Sequence, residues 1–593
     1  MPQLTRASRP ALAIAAPLAC LVAILCPHGA PAAPPSVYAF PIPGSRVASP
    51  MTQIVFRGLP IAQLGTIIVT GSRSGPHTGT MAGDSDGNGG SFLPTKPFTP
   101  GEVVTVGTGL NVVGGANGTF RFTVAIPASG NPSSHWPAAP RARNDVMRFH
   151  SRPDLEPPKV SVTARGAAAP GDIFVGPQFG PVQDGPMIVD SSGNLVWFKS
   201  LPGNASPADF RVQTYRGQPV LTWWQGYVNG GNGVGVDVID DSSYNQIAVI
   251  HGVDGLSADL HEFQITPHNT ALIATIFPVR WDSSAVHLPR NQIVYESVVQ
   301  EVDIPTGLLL FQWDSLDHVP ITDTDAPLPT GKGNRFDYFH LNSIDVDRDG
   351  NLLISGRDTS AVYKIDHNTG RVIWTLGGKH SSFKLSSAAA FAFQHDVRVR
   401  STGDRYLTVF DDGAGPPVVH SQSRALKLLL DLGHMTARVV SQHQHAPPLL
   451  ATFEGNYQQL AGGDDFIGWG SEPYFSEYNS RGQLVMDGHF NDLNASYRSY
   501  RFVWNGTPTT SPAITADRKG TSTVVFASWN GATQVASWRV LGGSSPSSLQ
   551  PVKAAAKHGF ETAISVGVQP FVAVQAIDVH GSTLGTSAAV RGQ

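Results

Sequence analysis

Four short stretches in the middle of the chain set strongly polar side chains at the ends of apolar, β-rich runs. They are Asp259-Leu260-His261-Glu262-Phe263, Phe339-His340-Leu341-Asn342-Ser343-Ile344-Asp345-Val346, Ile354-Ser355-Gly356-Arg357-Asp358-Thr359 and Phe393-Gln394-His395-Asp396-Val397-Arg398-Val399. The two-residue period of a strand places His340 and Asn342 on one face with Ile344 and Val346. It places His395 with Phe393, Val397 and Val399, toward the packed side, and turns Asp396 the other way. A buried imidazole needs hydrogen-bond partners. Imidazoles move protons near neutrality, a guanidinium offers a permanent planar cation with a donor fork, and an amide adds a neutral donor. Any one of these stretches alone reads as a satisfied core histidine or a surface ion pair. Together they are parts for handling an anion and a proton in one place, since a pure binding platform gains nothing by burying several imidazoles around one cation.

Other signals are weaker. Asp345-Val346-Asp347-Arg348-Asp349-Gly350-Asn351 opens like a calcium loop, but the twelfth position is Gly356, not the bidentate Glu that an EF-hand requires, so a tight hairpin turn is expected. His443-Gln444-His445 has no third ligand near it in sequence and reads as a loop. Sequons begin at Asn117, Asn204, Asn494 and Asn505 by pattern only. The two cysteines, Cys20 and Cys26, both fall in the N-terminal segment. A mature chain lacking that segment has no disulfide, no thiolate metal site and no Cys nucleophile. Neither a metal nor a cofactor is expected.

The elements that must position these residues are strands. Hydrophobic residues make up 41% of the 593-residue chain and charged ones 15%, with 62 Gly and 46 Pro, a profile of many short strands joined by turns. Over residues 171–510 a hairpin unit recurs: an apolar strand, a turn built on Asp or Asn with Gly, and a second strand. Examples are Ile188 to Trp197, Val302 to Phe311, Ile344 to Ile354, Ile365 to Trp374 and Tyr478 to Met486. Irregular repetition of such units predicts a six-bladed β-propeller, whose innermost strands end at one mouth of a channel where residues distant in sequence converge. Residues 34–130 predict an N-terminal Ig-like β-sandwich, 131–170 an extended linker, and 511–593 a C-terminal fibronectin-III-like β-sandwich. The fold class expected is all-β.

A formal charge of −4 leaves no broad basic field, so nucleic acid is not an expected partner. Residues 1–33 carry Arg6 and Arg9, an apolar run from Ala11 to Leu25 and small residues around Ala30-Pro31-Ala32, the layout of a signal peptide. The apolar run falls short of the roughly 20 residues that span a bilayer, and neither cysteine has the small-residue context of a lipidation site. Secretion or residence in the cell envelope is expected, with no transmembrane segment after removal of the signal.

The runs Tyr338 to Asp345, Leu353 to Gly378 and Phe393 to Arg398 closely resemble the arylsulfotransferase family, as do Phe149 to Lys159 and Gly468-Trp469-Gly470 with Glu477-Tyr478. The resemblance spans about residues 145–508. It implies a six-bladed propeller with the site in its central channel. It also implies transfer of a sulfuryl group from a phenolic sulfate donor to a phenol acceptor, without a nucleotide sulfate donor, by a ping-pong route through a sulfohistidine. By the same resemblance His395 is the histidine that becomes sulfated, and His261, His340, Asn342 and Arg357 surround the sulfuryl group. That chemistry suits these residue types. Sulfuryl transfer resembles phosphoryl transfer, with a loose in-line transition state whose charge spreads over equatorial oxygens. Arg357 and Asn342 are donors for those oxygens. Burial beside Arg357 keeps the His395 imidazole neutral, and His261 or His340 is suited to exchange a proton with the phenol. Two features depart from part of the family: a mature chain without cysteines cannot hold its site with a disulfide, and sandwiches flank the propeller. The rival expectations are a non-catalytic cell-surface propeller that binds a glycan or a protein, and a lyase or quinone-dependent oxidoreductase that needs a metal or cofactor.

Overall fold

The computed structural model describes residues 36–592 apart from 129–144, 181, 204, 332–333, 401–404 and 492–493. The expected signal peptide at 1–33, the first part of the expected linker and Asn204 lie outside the described residues. Half of the described residues are strand and 3% helix, so this part of the molecule is nearly all β, as the Gly/Pro-rich, β-branched composition requires. No helix among the described residues is long and apolar enough to cross a membrane.

The hairpins read from sequence are present. Met187–Val189 pairs antiparallel with Leu195–Phe198, Leu341–Val346 with Leu352–Gly356, Ala361–Ile365 with Val372–Gly377, and Tyr474–Tyr478 with Leu484–Phe490. Gln292–Val302 likewise pairs with Leu309–Asp314. Their turns share one mechanism. In Asp190 to Asn194 the Asp190 carboxylate accepts the N–H groups of Ser192 and Asn194, and Gly193 takes a left-handed φ of 82° that a side chain would resist. The acidic turn at Asp347 to Asn351 has the same backbone bonds, with Gly350 at φ 81°, but there Asp349 accepts the Asn351 N–H at 3.0 Å, and Lys364 pairs with both Asp347 and Asp349.

These hairpins assemble into antiparallel sheets of mostly four or five strands. Six strands, Ser206–Tyr215, Ala258–Ile265, Leu341–Val346, His395–Val399, Asn456–Gln459 and Ser496–Phe502, neighbour one another in that order, and the last lies against the first. The cycle is closed by hydrogen bonding between strands from both ends of the segment, because Ser496–Phe502 pairs with Asp172–Pro177, more than 300 residues earlier. Apolar cores fill the space between successive sheets: Leu353, Val362 and Leu376 pack with Val397, Leu407, Val409 and Leu426.

Two further sheets span residues 36–123 around Val37, Phe56, Val69, Val104 and Phe122. Two more span 513–591 around Val525, Trp538, Val540 and Val574. One segment differs from its sequence reading. Val160–Ala164, inside the stretch read as linker, is the outer strand of a five-stranded sheet, paired in register with Leu484–Phe490. Its alternation is too short to stand out, and its partner is more than 300 residues away.

Candidate active site

The four polar stretches meet at the starting ends of the six cyclic strands. Strict alternation does not carry through them, because each histidine stretch is interrupted by a bulge. The ladder of Ala258–Ile265 breaks between Ala258 and Phe263, which frees Asp259 to Glu262. His340 lies just outside its strand with φ 55°, and the ladder shifts between Leu341 and Ser343, around Asn342. In His395–Val399 the shift falls between His395 and Arg398, with Asp396 at φ 49°. Bulges turn individual side chains away from the regular pleat, and here three act on the same level of the cycle. The Arg357 N–H donates to the His340 carbonyl at 3.0 Å, so the arginine and that histidine are fixed to each other through backbone.

The side chains converge. The His261 and His340 rings stand edge to face with centroids 4.7 Å apart. Tyr497 lies between the histidines, its ring 5.5 Å from His261 and 6.4 Å from His395. Its hydroxyl reaches the carbonyls of His261 (3.0 Å) and Asn342 (3.2 Å). Asn342 donates through Nδ2 to the Gln394 carbonyl (2.6 Å), next to His395, which commits one of its two N–H bonds to structure. Arg357 pairs with Asp358 at 2.5 Å, donates to the Thr452 carbonyl at 2.9 Å and stands over the Phe393 ring at 5.2 Å, while its Nε is buried without a partner among the described residues. All five residues singled out in the sequence therefore belong to one locality.

A rule repeats at the three imidazoles: each is held at Nδ1 by a carboxylate. His261 pairs with Asp259, His340 with Asp337 at 2.7 Å, and His395 with Asp412 at 2.8 Å. At His395 the Glu454 N–H donates to Nε2 at 3.3 Å. A nitrogen that accepts carries a lone pair, so this hydrogen-bond pattern assigns the proton to Nδ1, facing Asp412.

Environment splits the three in charge. Burial holds His395 well below the usual imidazole range, and Arg357, His261, His340 and Arg498 push the same way. His261 is lowered too, by burial, against the pull of Asp259. At His340 burial is outweighed by the Asp337 carboxylate, with help from Asp358, and the ring is raised above its ordinary value. The site thus favours the neutral form at His395 and the protonated form at His340, both beside the Arg357 guanidinium. Ligand atoms of Asp337, His340 and Asp358 lie within 4.8 Å of one another. His340 and Arg357 already neutralise those two carboxylates, which makes the trio a poor match for a divalent cation.

Beneath the histidines lies a buried ionic layer. Glu262 binds Arg211 (2.5 Å), Arg398 (2.6 Å) and Arg498 (3.2 Å); Asp209 binds Arg498 (2.8 Å), and Asp396 binds Arg398 (2.8 Å). Asp396 also accepts the Tyr457 N–H at 3.0 Å, so it serves this layer and does not orient His395, as its place in the sequence implied. Sequence reasoning did not assign Asp337, Asp412, Glu454, Tyr497 or Arg498. Asp337, three residues before His340, was the nearest to legible; Asp412 and Tyr497 reach the site from other strands, with no local signal.

No curated protein matches the chain. Among solved structures, a protein of unknown function from Bacteroides caccae is 14% identical, with a TM-score of 0.33, over 56% of this chain and 98% of that one. An auxiliary nutrient binding protein from Bacteroides ovatus is 10% identical, with a TM-score of 0.28, over 83% and 95%. Virginiamycin B lyase from Staphylococcus aureus is 9% identical, with a TM-score of 0.29, over 62% and 96%. These likenesses are too faint to carry fold or activity across. The family comparison is specific: residues 211–491, which hold all five residues singled out in the sequence, match the model of the arylsulfotransferase (ASST) family, and that segment belongs to it.

Proposed function

We propose that this chain is an aryl-sulfate sulfotransferase that moves a sulfuryl group from a phenolic sulfate ester to a phenol, without a nucleotide donor, through a sulfated His395. The closed cycle of six strands supports a six-bladed β-propeller whose channel mouth holds the site. One observation carries the reading: a buried, neutral His395, its Nδ1 tied to Asp412, offers the Nε2 lone pair beside two fixed positive charges.

In the first half-reaction the Nε2 lone pair attacks sulfur as the bond from sulfur to the aryl oxygen breaks. Charge accumulates on the three sulfuryl oxygens in a loose transition state, where the Arg357 guanidinium, the His340 imidazolium and the free N–H of Asn342 stabilise it without reorganising. Phenolate leaves readily because its parent acid has a pKa of about 10, far below that of an aliphatic alcohol. The second half-reaction reverses the sequence with an acceptor phenol, whose O–H proton balances the one the released phenolate takes up, and restores the His395 lone pair. His261, neutral and against His340, shapes the wall of the pocket and is suited to orient the phenol. Export through residues 1–33 accompanies this reading and suits a donor that needs no cytoplasmic nucleotide.

The test is intact-mass measurement of the purified chain after exposure to 4-nitrophenyl sulfate alone, under rapid quench. One added sulfuryl group per chain is expected, with none in His395→Ala. Turnover by His395→Ala, or no adduct in a chain that transfers sulfate, overturns the assignment.

A further inference from the structure

Glu454 is a buried carboxyl for which neither packing nor the charges above account. It is 5% exposed, sits at a left-handed φ of 70° and opens the turn into Asn456–Gln459. A non-glycine residue persists in that region only where its surroundings fix it. Its backbone N–H is the group that touches His395 Nε2. With the Gln178 amide oriented by its partners, Gln178 Nε2 donates to Glu454 Oε1 at 3.2 Å and Gln178 Oε1 accepts the Tyr497 N–H at 3.1 Å. The other oxygen, Oε2, is buried and has no partner among the described residues. No cation pairs with Glu454 among the described residues. The titratable groups facing it are Asp412, whose carboxyl it pushes upward, Tyr497 and the His395 ring. Burial pushes its carboxyl up to about 8, with only the Gln178 hydrogen bond opposing.

We infer that Glu454 is the group that gives the proton to the departing phenolate and takes it from the incoming phenol. This rests on the sulfuryl-transfer reading of the same site. In the first step the sulfur to aryl-oxygen bond breaks, the nitrogen to sulfur bond forms at His395 Nε2, and the Oε2–H proton passes to the aryl oxygen, leaving a carboxylate. In the second, the acceptor O–H gives its proton to that carboxylate as its oxygen attacks sulfur, and the nitrogen to sulfur bond breaks. Protons, charge and bonds balance over the cycle with no other reactant. His340 is less suited to the task, because giving up its proton would remove a positive charge from the sulfuryl oxygens when they need it most. A neutral acid with one oxygen free of partners loses no such stabilisation. Its backbone N–H at His395 Nε2 places the residue beside the reacting nitrogen.

Leaving-group dependence tests this. General acid catalysis matters most when the leaving phenolate is basic, and is worth about 10²-fold or more. Glu454→Gln is expected to lose ~100-fold in turnover of phenyl sulfate but less than ~10-fold with 4-nitrophenyl sulfate, whose anion leaves without a proton. Glu454→Asp is expected to recover part of the phenyl sulfate rate. Equal losses on both donors would mark Glu454 as structural, and no loss on phenyl sulfate would mark it as a bystander; either overturns the assignment. If the unaltered chain forms no sulfated His395 and transfers from neither donor, the sulfuryl-transfer reading itself fails. That result differs from the first two because it appears before any substitution is made.

Discussion

A neutral imidazole presents its lone pair from only one nitrogen, and Asp412 decides which one at His395. The carboxylate accepts from Nδ1 and so leaves the lone pair on Nε2, where the Glu454 N–H meets it at 3.3 Å. Asp412→Asn keeps the size but brings an amide that donates to Nδ1, which favours the tautomer protonated at Nε2. Loss of the corresponding carboxylate in a serine-protease triad costs ~10⁴-fold in kcat by this mechanism. A loss of about 10³–10⁴-fold is expected here on 4-nitrophenyl sulfate, with an unchanged circular dichroism spectrum. A loss under tenfold would mean that the backbone N–H of Glu454 alone fixes the ring. Charge gives a second expectation. His395 is lowered, so it stays neutral as pH falls past 6.5, and rate is lost only well below that value. His340 is raised, so its cation persists above 6.5, and rate falls as pH rises through its own pKa. Asp337→Asn removes the attraction that holds the His340 proton, so the alkaline limb measured with 4-nitrophenyl sulfate should move to lower pH. An unmoved limb would assign it to another group. The histidines and Arg357 were legible because each sits in a short apolar run. The carboxylates that tune them were not, since Asp412 lies on a different strand and nothing in its own neighbourhood marks it.

At the scale of the strand, the hairpins were plain in the sequence because their turns depend on local chemistry, an Asx side chain and a glycine. The bulges were not. They arise where three inner strands meet neighbours that no local pattern announces, and they break the regular register at Asn342 and between His395 and Arg398. The buried ionic layer has the same origin. Arg498, on Ser496–Phe502, ties Asp209 on Ser206–Tyr215 to Glu262 on Ala258–Ile265, and donates to the Asn342 carbonyl at 2.9 Å. It is fully buried and ties four strands together under the site. Removing one member of a buried ion pair leaves its partner uncompensated, at a cost of about 3–5 kcal/mol. Arg498→Met should therefore lower the stability measured by denaturant unfolding by that amount. A change under ~1 kcal/mol would mean that Arg211 and Arg398 hold Glu262 unaided.

Across the whole molecule, the flanking sheets were legible as shifts in composition and turn spacing, but their attachments were not. The C-terminal sheets hold on through Glu561, which accepts from the Ser151 N–H at 2.6 Å, and through Asn530 with Phe198. The N-terminal sheets hold on through Phe40 against Phe311 at 5.1 Å, Ser85 on Asp303, and above all Asp254. The Asp254 carboxylate accepts from the Gln53 N–H (3.0 Å), the Gln53 amide (3.3 Å) and the Thr52 hydroxyl (3.2 Å), all buried. No hydrophobic pattern predicts such a contact, because it depends on one acidic side chain meeting the end of a strand 200 residues earlier. Asp254→Ala abandons the two buried Gln53 donors, each worth about 1–3 kcal/mol when left unsatisfied, while Thr52 keeps its 2.9 Å bond to the Gln53 carbonyl and no residue of the site is touched. Most of that loss should fall on docking, since Gln53 and Thr52 stay within their own sheet. The altered chain should unfold in two calorimetric steps, the earlier one belonging to residues 36–125, and brief proteolysis should release that fragment. Sulfuryl transfer should persist between the two steps if the site is independent of the N-terminal sheets. A single transition at an unchanged Tm would show that apolar contacts such as Phe40 with Phe311 are enough to hold the sheets in place.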